Sequence, residues 1–280
     1  MKNRNETCNL PSTRFELFAD AVKQNWRKVI LIGLFLTLFF LPTFVSLFFR
    51  DYFISYASIK TENAKEFQSM TMGGLSIIYA IFCATLLFAS IGISGLSKIL
   101  MHLSYEEGFS FFEDFKIGVK QNFKTNFFAT LIYIIILYMT LFINISVTNS
   151  FLRYVPLGIC QGLAFPILLV IFASNTIYDW KFKDSIRNSV LIYIRYFLFI
   201  LLFSLVLFAV NLLLLIPNII LRYIIVVFYF IVIQPFIILG FVIYMNHCFD
   251  EGINKNNYPK LYRKGLFKSK IEITLDDIEE

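Results

Sequence analysis

Six stretches of about twenty apolar residues each set the limits on what this 280-residue chain can fold into. A helix needs roughly 20 such residues to cross about 30 Å of hydrocarbon. The stretches fall at about 29–49, 76–101, 127–148, 157–178, 197–216 and 223–246. In the first, most positions are Leu, Ile, Val or Phe. At roughly −0.3 to −0.6 kcal/mol each near the centre, insertion is favourable by several kcal/mol even with Thr37, Thr43 and Ser46 present. That run is too long for a signal-peptide core and has no small-residue cleavage site, so it is read as retained. Spans five and six are separated by Pro217-Asn218, which makes the stretch from Leu198 to Met245 a tight hairpin. Composition agrees: 58% hydrophobic against 16% charged leaves too little charge to cover a soluble domain of this size.

Orientation follows from Lys and Arg. Twenty of the 25 fall in the N-terminal segment, in the loops after spans two and four, and in the C-terminal tail. The other five, Arg50, Lys60, Lys65, Arg153 and Arg222, fall on the opposite side. This bias predicts both termini in the cytoplasm of a bacterial inner membrane, with residues 1–28 and 247–280 outside a six-span bundle at 29–246. The formal charge of +6 therefore reads as contact with anionic headgroups, and no nucleic-acid partner is expected. Cys8, Cys83, Cys160 and Cys248 have neither CxxC nor zinc spacing, which predicts reduced thiols.

The segment Val22-Lys23-Gln24-Asn25-Trp26-Arg27 recurs as Val119-Lys120-Gln121-Asn122-Phe123-Lys124, each immediately before a span. Both read as amphipathic helices. Phe15, Phe18, Ala19, Val22 and Trp26 share one face of the first; Phe112, Phe115, Val119 and Phe123 share one face of the second. Each opens on a capping-box pattern, Thr13-x-x-Glu16 and Ser110-x-x-Glu113. A looser copy runs from Trp180 to Arg195. The expected fold is all-α: a polytopic transmembrane helical bundle of three hairpins, each preceded by an interfacial amphipathic helix. Trp26, Trp180, Phe112, Phe115 and Phe123 are the expected interface anchors.

No catalytic, metal or nucleotide-binding constellation is present, so neither an enzyme nor a cofactor is expected. Asp and Glu lie outside the span centres, and no Lys, Arg or His falls at mid-membrane. That counts against proton-coupled transport, which needs a titratable group there. Of the polar residues inside spans, Gln161 precedes Pro166 and Gln234 directly precedes Pro235. Proline frees a backbone carbonyl, and a nearby amide can bond it again. A polar cavity at these kinks, with Pro42 of span one, is the sharpest ligand-site reading; interhelical hydrogen bonding is the plainer one. Ser90, Gly92, Ser94 and Gly95 predict close helix packing. His102 and His247 lack a third metal ligand.

The residues Leu41-Pro42-Thr43, Glu107-Gly108, Phe111-Phe112-Glu113-Asp114-Phe115 and Lys120-Gln121-Asn122-Phe123-Lys124 together resemble the YesL-like family of bacterial membrane proteins. The resemblance implies an inner-membrane protein with no established catalytic residues, often encoded near carbohydrate-uptake genes. Two functional expectations follow. One is a non-enzymatic accessory or scaffold whose interfacial helices meet a membrane or cytoplasmic partner of a transport system. The other is a small-solute facilitator or transporter with a midplane cavity.

Overall fold

The computed structural model describes residues 11–105, 107–147 and 149–266, and among these the chain is helical with no strand. Six helices have the length and hydropathy to cross a membrane, which makes this a multi-pass helical bundle. Cys8 and the acidic end Asp276 to Glu280 lie outside the described residues.

Helix α1, Arg14–Lys60, has 47 residues, about 70 Å at 1.5 Å per residue and more than twice the hydrocarbon thickness. It is interrupted at Asn25 (φ −119°, ψ 19°), which separates an amphipathic segment from the span. The Thr13–Glu16 capping box closes its start. Leu17 and Ala21 are buried in a cluster with Ile99, Leu103 and Ile243, whereas Phe15 and Trp26 are exposed. The segment packs on protein through Leu17 and Ala21, with Phe18 and Val22 of the aromatic stripe against the same cluster.

Helix α2, Ala64–Ser104, follows after a turn of three residues. The stretch read as an outer loop is thus helical. It holds no Gly or Pro between Asp51 and Met72, and nothing in it stops a helix before Thr61. Helix α3 runs Phe111–Ser146. The second capping box does not form, since the Ser110 side chain makes no capping bond; the Asp114 carboxylate takes the Ser110 N–H at 2.8 Å instead.

The fourth and sixth crossings are broken helices. Helix α4, Ser150–Ile159, passes through a wide π turn, Cys160–Ala164, into α5, Phe165–Ile177. Pro166 leaves the Gly162 carbonyl without its helical donor, and the Tyr193 hydroxyl donates to it at 2.5 Å. Helix α6, Phe182–Arg195, carries Tyr193 and leads into α7, Phe197–Phe208, and a 3₁₀ stretch, Ala209–Leu215. The sixth crossing was expected as one helix. It is two, α8 at Ile219–Val232 and α9 at Gln234–Phe249, because Pro235 cannot continue the ladder. The carbonyl Pro235 frees, that of Ile231, faces Gly33: a Cβ built there would lie 2.1 Å from it. The repair at Gly162 comes from Tyr193 and not from the neighbouring Gln161 amide.

The second arms of the three hairpins end alike, as His102-x-x-Tyr105, Asn175-x-x-Tyr178 and Asn246-x-x-Phe249, each aromatic ring buried. These ends meet at the near end of the bundle, where the first and last described residues also meet. Arg14 donates to Asp250 (2.7 Å) and to the Lys264 carbonyl (3.1 Å). Tyr178 donates to Asn254 at 2.6 Å, and Trp180 stacks on Tyr178 with centroids 4.2 Å apart. Trp180 is therefore an internal clasp as well as a surface ring. Glu107 bonds both Lys264 (2.7 Å) and His102 (2.8 Å). Burial pushes its carboxyl pKa up, but the Lys264 and His102 bonds outweigh this and hold it below the usual range.

Two expectations follow. Gly33→Ala drives a methyl into a backbone carbonyl and is expected to cost about 1–3 kcal/mol, whereas Gly158→Ala, with open space around it, leaves thermal unfolding in detergent nearly unchanged. A carboxyl depressed in the folded state stabilises fully above its unfolded pKa of about 4.3 and loses that contribution as pH falls through the folded value. Acidification below about pH 4 should raise hydrogen exchange in 255–266; Glu107→Gln should show that faster exchange already at pH 7.

Candidate ligand-binding cavity

A chain of buried amides and hydroxyls fixes the walls. Ser185 donates to Asn175 Oδ1 (2.7 Å), Asn175 Nδ2 to Asn126 Oδ1 (2.9 Å), and Asn126 Nδ2 to Ser94 Oγ (3.0 Å). The chain ends on the Ser90 carbonyl. It ties α6, α5, α3 and α2 together where water is excluded, so a shift of any one helix strands a polar group. The small residues of α2 make room for this: the missing side chain of Gly92 is replaced by the Phe39 ring, and that of Gly95 by Phe115.

Between these walls lies a cavity of about 440 Å³, a size suited to a small organic ligand. Along α1 its lining runs from Ile32 to Arg50, about 27 Å at helical rise. Phe40, Phe44, Phe82, Phe165 and Phe230 are among its apolar lining. The polar members include Thr43, Tyr133, Gln161, Asn211 and Gln234. Gln161 sits in the π turn and Gln234 at the α8–α9 break, so both irregular backbone segments deliver an amide to the same space. Gln161 bonds the Tyr133 hydroxyl loosely, at 3.4 Å.

Two of these polar residues stand out. Thr37, Ser46 and Thr130 bond a carbonyl of their own helix, as hydroxyls in apolar helices do. Thr43 Oγ1 and Gln234 Oε1 are buried and have no hydrogen-bond partner, though the residues are only 3% and 6% exposed. Each unpaired group costs about 1–3 kcal/mol.

The far end of the cavity is charged. Asp51, 8% exposed, accepts from Arg50 at 2.6 and 2.9 Å, from Tyr223 at 3.0 Å, and from Arg222. Arg222 also donates to the Ile216 carbonyl at 2.7 Å. The cluster pins α1 to the start of α8. Arg50, Tyr79 and Tyr223 line the cavity there.

Of the residues singled out by sequence, Gln161 and Gln234 are brought together in this cavity. Pro42, Pro166 and Pro235 are not among its lining; the latter two act through the backbone breaks they impose. Among the expected anchors, Phe112 is exposed and Phe115 packs inward on Phe39 and Gly95. Phe123 packs on Phe127, and Trp26 is half exposed. Sequence reasoning missed Asp51 and its partners because Arg50-Asp51 and Arg222-Tyr223 lie just past apolar runs and read as loop charge. Adjacent opposite charges at the mouth of one span, with a lone arginine opposite, were the available signal.

Among the described residues no group of three His, Cys, Asp or Glu could hold a metal ion. Cys83, Cys160 and Cys248 are buried and unpaired with one another. Comparison with family models, with curated proteins and with solved structures finds no match.

Removing Asp51 leaves two arginines facing each other in a poorly solvated site. Asp51→Ala is expected to cost about 3–5 kcal/mol in detergent unfolding, and replacing Arg50, Asp51 and Arg222 together by apolar residues should recover much of it.

Proposed function

We propose that the protein takes a mainly apolar small molecule bearing a hydrogen-bond donor into its intramembrane cavity, and moves it or presents it as a non-enzymatic membrane facilitator. The observation that carries this is the pair of buried, unpartnered oxygens, Thr43 Oγ1 and Gln234 Oε1, on residues lining an elongated apolar space. Retaining unpaired acceptors in a core that could hold Val and Leu is a cost to stability, and a ligand donor offsets it. The Lys and Arg distribution favours a bacterial inner membrane with the near end of the bundle in the cytoplasm.

A second reading, an accessory to a transport system, draws on a different observation. Phe15 and Phe112, at the near end, are 79% and 71% exposed, as rings awaiting lipid or a partner helix would be. The two readings separate on purification from native membranes: a stoichiometric protein partner favours the accessory, a bound small molecule the facilitator.

The test of the cavity uses 1-aminoanthracene, an apolar amine whose fluorescence rises on leaving water. Saturable enhancement is expected with the wild-type chain. Gln234→Leu should weaken that binding while raising the melting temperature without probe, by an amount corresponding to about 1–3 kcal/mol. Binding indifferent to this substitution would remove the cavity from the account.

A further inference from the structure

The five basic residues on the far side of the bundle are not spread evenly. Lys60 and Lys65 are exposed, but Arg50 and Arg222 meet on Asp51 at one end of the cavity, and Arg153 acts on Tyr79 there. Arg50 lines it, and Arg222 lies beside Arg50 on the shared Asp51 carboxylate. Arg153 lies within electrostatic reach of Tyr79, which lines the cavity between them, as do Arg50 and Asp51. Leu157, one helical turn beyond Arg153, lines it too.

The charges there do not balance. Asp51 neutralises one of the two arginines it bonds, and among the described residues no carboxylate pairs with Arg153, whose Nε is buried without a partner. Glu62 and Glu66, the other acids at this end, are exposed and form no ion pair. Two positive charges are left over beside a mainly apolar space, with two tyrosine hydroxyls at hand. Poorly solvated cations of this kind are stabilised by an anion that brings its own acceptors. The rest of the space is apolar along about 27 Å of α1, longer than an anion alone would use.

We infer that the cavity holds a single-chain amphiphile with an anionic oxyacid head, phosphate or carboxylate, seated by Arg50 beside Tyr79 and Tyr223 with Arg153 close by, its chain running along the apolar lining and carrying the hydroxyl or amide N–H that meets Thr43 and Gln234. This rests on the cavity reading above and adds the chemical class of the ligand. Two halves make the recognition: charge-assisted bonds fix the head, and apolar burial along the lining holds the chain.

The full-length chain in a neutral maltoside detergent is titrated with tetradecyl phosphate, tetradecanol and inorganic phosphate while thermal unfolding is followed. Tetradecyl phosphate should raise the melting temperature saturably, at about ten-fold or more lower concentration than tetradecanol. Arg153→Gln should bring the two amphiphiles level by weakening only the phosphate, and Arg153→Lys should keep most of the difference; Arg50→Gln gives an independent variant of the same head site. Equal affinity for the alcohol and the phosphate in the wild-type chain overturns the anionic head but leaves the cavity reading standing. Stabilisation by inorganic phosphate alone to the same degree marks a free-anion site and overturns the amphiphile. Saturable binding of neither amphiphile removes the cavity reading, and this inference with it.

Discussion

Inside hydrocarbon every backbone N–H and C=O must find a partner within the protein, and the rest of this structure is arranged around the places where a helix cannot supply one. Pro166 and Pro235 open two such places at the same depth as the cavity. The Tyr193 hydroxyl, reaching across from α6, closes the first. At the second, Gly33 lets α1 come within contact distance of the Ile231 carbonyl, an approach no other residue permits. The breaks turn Gln161 and Gln234 toward a common space and so create the site that the unbroken helices would have filled.

The same rule governs the polar side chains. The Ser185–Asn175–Asn126–Ser94 chain is satisfied link by link and sets the register of four helices. At the near end, Arg14, Asp250, Glu107 and Lys264 join the first and last described segments, the Glu107–Lys264 pair partly in solvent and the Arg14–Asp250 pair largely buried. At the far end, Asp51 gathers two arginines and a tyrosine in a setting about as buried as that of Arg14 and Asp250. Of the buried polar groups left without a hydrogen-bond partner among the described residues, the Thr43 and Gln234 oxygens belong to residues that line the cavity, whereas those of Arg14, His102, Asn122 and Asn246 belong to residues that do not.

Much of the fold was legible in the chain. Apolar runs of twenty residues have one physical outcome, and the Thr13 cap and the three-hairpin plan follow from local pattern. What local pattern does not carry is which neighbour a helix meets. The stripe of Phe15, Phe18, Val22 and Trp26 is legible as an apolar face, but that Leu17 and Ala21 are buried, with Phe18 and Val22 packed beside them, depends on α9 and the end of α2 arriving on that side. Gln161 and Gln234 were legible as polar residues beside prolines. That they share one space, and that Tyr193 rather than an amide repairs the break, depends on contacts 31 residues apart in sequence. Asp51 was missed for a related reason: its importance comes from Arg222, 171 residues away.

The central claim is that the cavity is a ligand site and not a packing fault. Native mass spectrometry of the full chain, extracted gently from its own membranes, tests it most directly. The account predicts a one-to-one complex with a single low-mass species that is lost in a variant whose cavity is filled, such as Ala89→Trp. The bare protein mass, or an unselective spread of bulk lipids unchanged by that substitution, would contradict it.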